Sequence, residues 1–174
     1  MNIEQLKYPI GRFAFPERIT DAMVAAWIAE IEAFPAQFRV EATRLTEAQL
    51  DTPYRPDGWT LRQVIQHVPD SHANAYIRVK WTLTEDNPTI KAYEEGAWAM
   101  LDPHAPIEPA LQMLESLHIR LVRLLKSLSS EQLLRTFVHP ETKRTIVLRE
   151  MLALYAWHGQ HHLGHLRLVQ SSNK

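Results

Sequence analysis

Four of the nine histidines in this 174-residue chain lie between positions 158 and 165, in the run Trp157-His158-Gly159-Gln160-His161-His162-Leu163-Gly164-His165. His158 and His162 are four residues apart. On a helix that spacing puts both side chains on one side, a single turn apart. Two imidazoles so placed can grip one metal ion without bending the backbone, and such an ion can act as a Lewis acid. The chain has no cysteine, which removes disulfides, thiolate nucleophiles and sulfur ligands together. A metal here would rest on imidazole or oxygen, and thiol chemistry would need a substrate that brings the sulfur.

The element that must position these histidines is a last helix over 147–169. With a step of about 100° per residue, Leu148, Met151, Leu152, Tyr155, Leu166 and Val169 fall in one sector, the buried face. His162 lies near the middle of that sector and His158 to one side of it. His165 is further round. His161 falls outside, as a surface residue or one that supports a ligand. Trp157 also points away from the buried sector, toward a covering loop or a dimer contact. Two inward histidines on an apolar face each need a polar partner. Hydrogen-bonded core histidines are one solution, and a metal with a third ligand is the other. His67 and His72, on an earlier helix, are the candidates for that third ligand. His67 shares a polar edge with Ser71, Asn74 and Arg78, whereas His72 lies closer to the centre of the apolar stripe. Periodicity does not choose between them.

The remaining elements follow from pattern. Residues 1–19, with Pro9, Gly11 and Pro16, read as an extended arm. Thr20 and Asp21 open a helix striped by Met23, Trp27, Ile28, Ile31 and Phe34. Pro35 is expected to break or kink it, with a second piece continuing to about position 45. A loop over 51–58 contains Pro53, Pro56 and Gly58. Thr60 caps a long helix to about position 84, within which Pro69 should produce a bend or an early end. Residues 85–106 are irregular, with a short helix near 93–100. A leucine-striped amphipathic helix spans 107–128, one more helical turn lies within 129–135, and 137–144 reads as a loop. Four main helices with few strand signals imply an all-α four-helix bundle with long connecting loops, in a single domain over 1–174. The long loops are expected to roof a site. Tyr93 and Trp98 either line a pocket mouth or cover the open end of the core. Glu94, Glu95 and Asp102 read as solvated loop charges, so no general base is identified.

The formal charge is −1 and the isoelectric point about 6.8. No basic surplus exists to neutralise a phosphate backbone, which argues against nucleic acid. Arg120, Arg123 and Lys126 read as the solvated outer face of an amphipathic helix. No run approaches the roughly 18 apolar residues of a membrane span, and residues 1–15 carry no signal-peptide pattern. A cytoplasmic protein that meets neither membrane nor nucleic acid is therefore expected.

Two segments carry a family resemblance: Gly58-Trp59-Thr60-Leu61-Arg62-Gln63-Val64-Ile65-Gln66-His67-Val68 and Trp157-His158-Gly159-Gln160-His161-His162, supported by Asp70-Ser71-His72 and Thr84-Glu85-Asp86. In this order, and about 90 residues apart, they make the chain resemble the DinB superfamily and, within it, the YfiT-like metal-dependent hydrolases. The likeness runs over nearly the whole sequence. It implies a four-helix bundle that holds one divalent ion by three histidines, here His67, His158 and His162, and so selects His67 over His72. Pro69, just after His67, departs from the pattern and questions the local helix geometry.

Three neutral imidazoles leave the ion its full charge and an open position, the layout of a catalytic site. Zinc or nickel is the expected cofactor, a small molecule the expected partner, and a homodimer is implied by the resemblance. Three functions remain open: metal-assisted hydrolysis, transfer or isomerisation with a low-molecular-weight thiol of the bacillithiol type, and a non-catalytic binding protein stabilised by its metal.

Overall fold

The structure, a computed structural model, describes residues 2–171. In chain order the elements are α1 (Ile3–Lys7), α2 (Asp21–Ala42), α3 (Glu47–Leu50), α4 (Leu61–Thr84), α5 (Glu95–Ala99), α6 (Ile107–Lys126), α7 (Ser130–Leu133), β1 (Thr136–His139), β2 (Arg144–Val147) and α8 (Leu148–Ser171). The long helices α2, α4, α6 and α8 form a four-helix bundle. Helix α2 packs on α6 and α8, and α4 packs on the same two. Helices α2 and α4 therefore sit diagonally, as do α6 and α8, and the connection from α2 to α4 crosses the end of the bundle. This order brings α4 beside α8, so His67 can approach the histidines of the last helix.

Local signals set the helix starts. Thr60 accepts a hydrogen bond from the Gln63 amide, and the Gln63 side chain accepts one from the Thr60 amide, a reciprocal cap that fixes where α4 begins. Arg62, almost fully buried, donates to Asp51 at 2.8 Å and Glu47 at 2.6 Å, tying the first turn of α4 to the crossing connection. Two buried clusters fill the bundle. One is centred on Ile31, Val79, Leu121 and Leu152, the other on Phe38, Leu61, Ile65, Leu111 and Leu163. The histidines lie between them.

Four expectations need correction. Residues 1–19 are not wholly extended, because Asn2 caps the short helix α1 through its own reciprocal cap with Gln5. Pro35 does not break α2 and Pro69 does not end α4 early: each proline is buried inside a helix that runs on past it. Residues 137–144 are not a loop: β1 and β2 pair antiparallel across a four-residue turn, with Phe137 opposite Ile146. The density of β-branched and aromatic residues in Thr136-Phe137-Val138 and Thr145-Ile146-Val147 was the strand signal. His161 and Trp157 point away from the bundle as the wheel implies, yet His161 is only 8% exposed. The N-terminal arm covers that side of α8, where Trp157 stacks on His161 and donates to the Gly11 carbonyl.

The arm seats itself at Gly164. A Cβ at this position would lie 2.7 Å from Pro9 Cγ, so only glycine lets the proline ring rest on α8. Gly164→Val should lift the arm while leaving the bundle folded, at a cost of about 1–3 kcal/mol. Amide hydrogen exchange measures this: protection is expected to fall at least about tenfold over residues 6–13 and to persist in α2, α4 and α8. Unchanged protection of the arm would show that the contact does not hold it.

Candidate metal centre

His67 from α4 and His158 and His162 from α8 offer nitrogen atoms that all lie within 4.8 Å of one another. His67 and His162 are buried, and His158 is partly so. The His67 Nε2 lies 3.4 Å from the His158 Nε2. The bundle thus brings together the three residues singled out from sequence.

Hydrogen-bond complementarity assigns the protons on two of these rings. A carbonyl oxygen only accepts, so where an imidazole meets one the ring nitrogen must carry the hydrogen. Pro35 has no N–H to give the Ile31 carbonyl four residues back, and the His118 Nδ1 donates to that oxygen at 2.7 Å instead. In neutral His118 the Nε2 is then an acceptor, and it receives the His72 Nδ1–H at 2.8 Å. The His72 Nε2 in turn accepts from the His158 Nδ1 at 3.1 Å. The sequence of constraints ends with a lone pair on the His158 Nε2, aimed toward His67.

A second relay does the same for His162. The His165 Nε2 donates to the Lys7 carbonyl at 3.2 Å, so its Nδ1 is an acceptor and receives the His162 Nδ1–H at 3.3 Å. That leaves the His162 Nε2 as a lone pair. Such outer partners fix tautomer and ring orientation wherever histidine binds metal. The His158 Nε2 lone pair can accept a proton from the His67 Nε2 or bind a cation placed between the two rings. Two imidazoles with Nε2 lone pairs, and a third whose ring nitrogen lies within 4.8 Å of them, therefore fit a divalent cation by donor type and by spacing.

His72, the competitor of His67, belongs to the first relay. His161, expected as a surface or supporting residue, belongs to a second close group with His162 and His165. The relay occupies both the His162 Nδ1 and the His165 nitrogens, which argues against a second metal there. Periodicity placed His72 and His165 on their helices but missed His118 of α6, and it could not give the backbone partners at Ile31 on α2 and Lys7 on α1.

Burial also keeps these rings neutral. Desolvation lowers His67 to about 4 and holds His158, His162 and His72 well below the ordinary 6.5. His118 and His165 also fall to about 4 through burial, opposed by their bonds to backbone carbonyls. A neutral imidazole is what a metal requires.

A cavity of about 200 Å³ opens beside His158. The β1–β2 hairpin gives it Phe137, His139 and Ile146, α4 gives Ser71 and Arg78, and the 85–106 connection gives Tyr93 and Glu95. The long connection thus roofs a site as expected, but the hairpin wall was not foreseen. Tyr93 lines the cavity, whereas Trp98 packs on Tyr93 from outside and is 43% exposed. Glu95, read from sequence as a solvated charge, has its carboxyl raised by partial burial, an effect that Arg78 opposes. Glu94 and Asp102 do not line this cavity. A larger groove, between the 46–57 connection and α8, has no histidine in its wall and so no comparable chemistry. Among the described residues no helix is long and apolar enough to cross a membrane.

Comparison with known proteins agrees with this geometry. The DinB superfamily model matches residues 30–166. A protein of Bacillus cereus strain 03BB102, named "Putative metal-dependent hydrolase", is 52% identical over 165 residues, covering 94% of this chain and 95% of its own. A protein of the same description from Bacillus thuringiensis subsp. konkukian shows the same identity and coverage. YfiT from Bacillus subtilis, described as "a probable metal-dependent hydrolase with an unusual four-helix bundle topology", superposes with a TM-score of 0.94 at 42% identity, over 97% of this chain and 98% of that one.

Two outcomes are expected from the relays. Long-range ¹⁵N–¹H correlation spectra at pH 7.5 should show Nδ1–H tautomers for His72, His118, His158 and His162 and an Nε2–H tautomer for His165. An Nε2–H tautomer at His118 would break the first relay at its origin. The second outcome concerns acid. Between pH 6.5 and 4 the unfolded chain binds the proton that folded His118 refuses, so stability is full above that window and falls as pH drops through it. His118 alone contributes on the order of 3 kcal/mol. Urea unfolding at pH 7.5 and 4.5 should record the loss, and His118→Gln should make it smaller. An equal loss in both proteins would contradict the assignment.

Proposed function

The chain belongs to the DinB superfamily, and on that footing we propose that it is a metal-dependent hydrolase with one divalent ion held by His67, His158 and His162. The observation that carries this reading is the approach of three imidazole donors to within 4.8 Å of one another, two of them fixed as Nε2 lone pairs by their relays. The names of the relatives and of YfiT point the same way. An all-imidazole set suits zinc or nickel. When bound, such an ion supplies Lewis acidity, polarising a carbonyl and lowering the pKa of water toward neutrality.

The chain's own residues supply the rest. His158 and His162 are held rigidly by hydrogen bonds that end on backbone, so little reorganisation accompanies reaction. Glu95 is the carboxylate placed to move a proton in the cavity, and its raised pKa brings it closer to a general base's working range. Phe137, Ile146 and Met151 make the facing wall apolar and limit access of bulk water. The volume of about 200 Å³ suits a small molecule or the reacting end of a larger one.

Elemental analysis of the purified protein should find about one equivalent of zinc or nickel, falling below about a tenth in His67→Ala and in His162→Ala. Ester or amide cleavage should stop on chelation, return with the metal and need no added thiol. Glu95→Gln should keep the metal yet lower kcat by about 10²-fold or more. Stoichiometric metal in both histidine variants would refute the ligand set, and cleavage that required a thiol would favour transfer over hydrolysis.

A further inference from the structure

Arg78 makes no direct ion pair, although the Glu95 carboxylate in the same cavity lies close enough to feel its charge. Among the described residues no carboxylate lies within 4.0 Å of it. Its Nη1 reaches the Tyr155 hydroxyl at 3.4 Å and its Nη2 the Lys91 carbonyl at 3.3 Å, both long contacts to neutral oxygens. Its Nε is fully buried with no protein partner. Two more orphaned buried atoms line the same cavity: the His139 Nδ1 and the Tyr93 hydroxyl, which lies near Ser71 without hydrogen-bond geometry. Of the five such side-chain atoms among the described residues, three converge here. Buried polar groups are ordinarily satisfied, and a buried charge is ordinarily paired. Three unpaired buried polar atoms in one cavity, one of them on a guanidinium with no direct ion pair, point to a site whose partner is a ligand.

From this we propose that the cavity binds the carboxylate of a small substrate, with Arg78 as its anchor and Tyr93 and His139 as supporting donors. The Nε–H and Nη–H of a guanidinium present a planar fork that matches a carboxylate. Glu95 lines the same cavity and would repel a dianion such as phosphate more than a single carboxylate charge. His158 lines the same cavity, so a molecule held by Arg78 would bring its other end within reach of the imidazole cluster. As a statement about the substrate this rests on the hydrolase reading, and it narrows that substrate to an ester or amide bearing a carboxylate. As a statement about binding it does not depend on a metal.

Butyrate, with butyramide as its neutral isostere, tests the binding directly. Titration is followed by the Arg78 Nε–H resonance in ¹H–¹⁵N spectra, with protein as purified and again after chelation. A saturable shift with butyrate is expected in both states, with butyramide binding at least about tenfold more weakly. Arg78→Gln should abolish the preference, and Arg78→Lys, which keeps the charge and loses the fork, should weaken butyrate binding. Butyrate binding no tighter than butyramide, or a wild-type Nε–H that does not move, overturns the proposal whatever the variants do. Hydrolysis that persists alongside such a result would leave the metal reading standing. A preference for butyrate retained after chelation, in a protein that cleaves nothing, would do the reverse.

Discussion

The candidate site depends on one oxygen that can only accept. The Ile31 carbonyl is released from its helix by Pro35, and His118 fills the place with its Nδ1–H. That bond fixes His118, which fixes His72, which fixes His158. Proton positions are thereby set across three helices, α2, α6 and α4, before α8 is reached. The same logic runs in one shorter step from Lys7 through His165 to His162. In each case the backbone decides which ring nitrogen is free. A proline that looks like a fault in α2 is the origin of the longer chain.

This arrangement exchanges stability for readiness. His72, His158 and His162 are all held far below their ordinary pKa, chiefly by burial. Apolar side chains in the same volume would carry no such acid sensitivity. The core accepts it because each relayed ring has a partner on both nitrogens or a lone pair aimed at its neighbours. Packing supplies the rigidity: Phe34 contacts both His72 and His118, and Tyr54 stacks on His165 at 4.0 Å. The arm adds a lid over the other side of α8 and provides the Lys7 carbonyl, so a segment outside the bundle completes the site.

Much of this was legible in the sequence. Helix periodicity placed all four long helices, and the i, i+4 spacing of His158 and His162 pointed both into the bundle. The threonine caps at positions 20 and 60 marked the helix starts. Other features were not readable, for identifiable reasons. A wheel compares residues on one helix, so it could not say that His67 would meet His158 while His72 met His118. It treats the uncovered side of a helix as solvent, so His161 read as a surface or supporting residue until the arm lay on it, while Trp157 does sit under a covering segment as expected. Pro35 and Pro69 were weighed by intrinsic propensity, which tertiary burial overrode. The hairpin was missed because two four-residue strands carry little signal beside a long helix. Glu95 illustrates the same limit, since its neighbours Arg78 and His139 come from distant elements.

The ligand set is tested most directly by anomalous X-ray diffraction from crystals of the zinc-loaded protein, recorded on both sides of the metal edge. One strong peak is expected, at about 2.0–2.1 Å from the Nε2 atoms of His67, His158 and His162, with His72 and His165 still bound to the Nδ1 atoms of the two α8 ligands. A peak among His161, His162 and His165, or no ordered peak in stoichiometrically loaded protein, would contradict it.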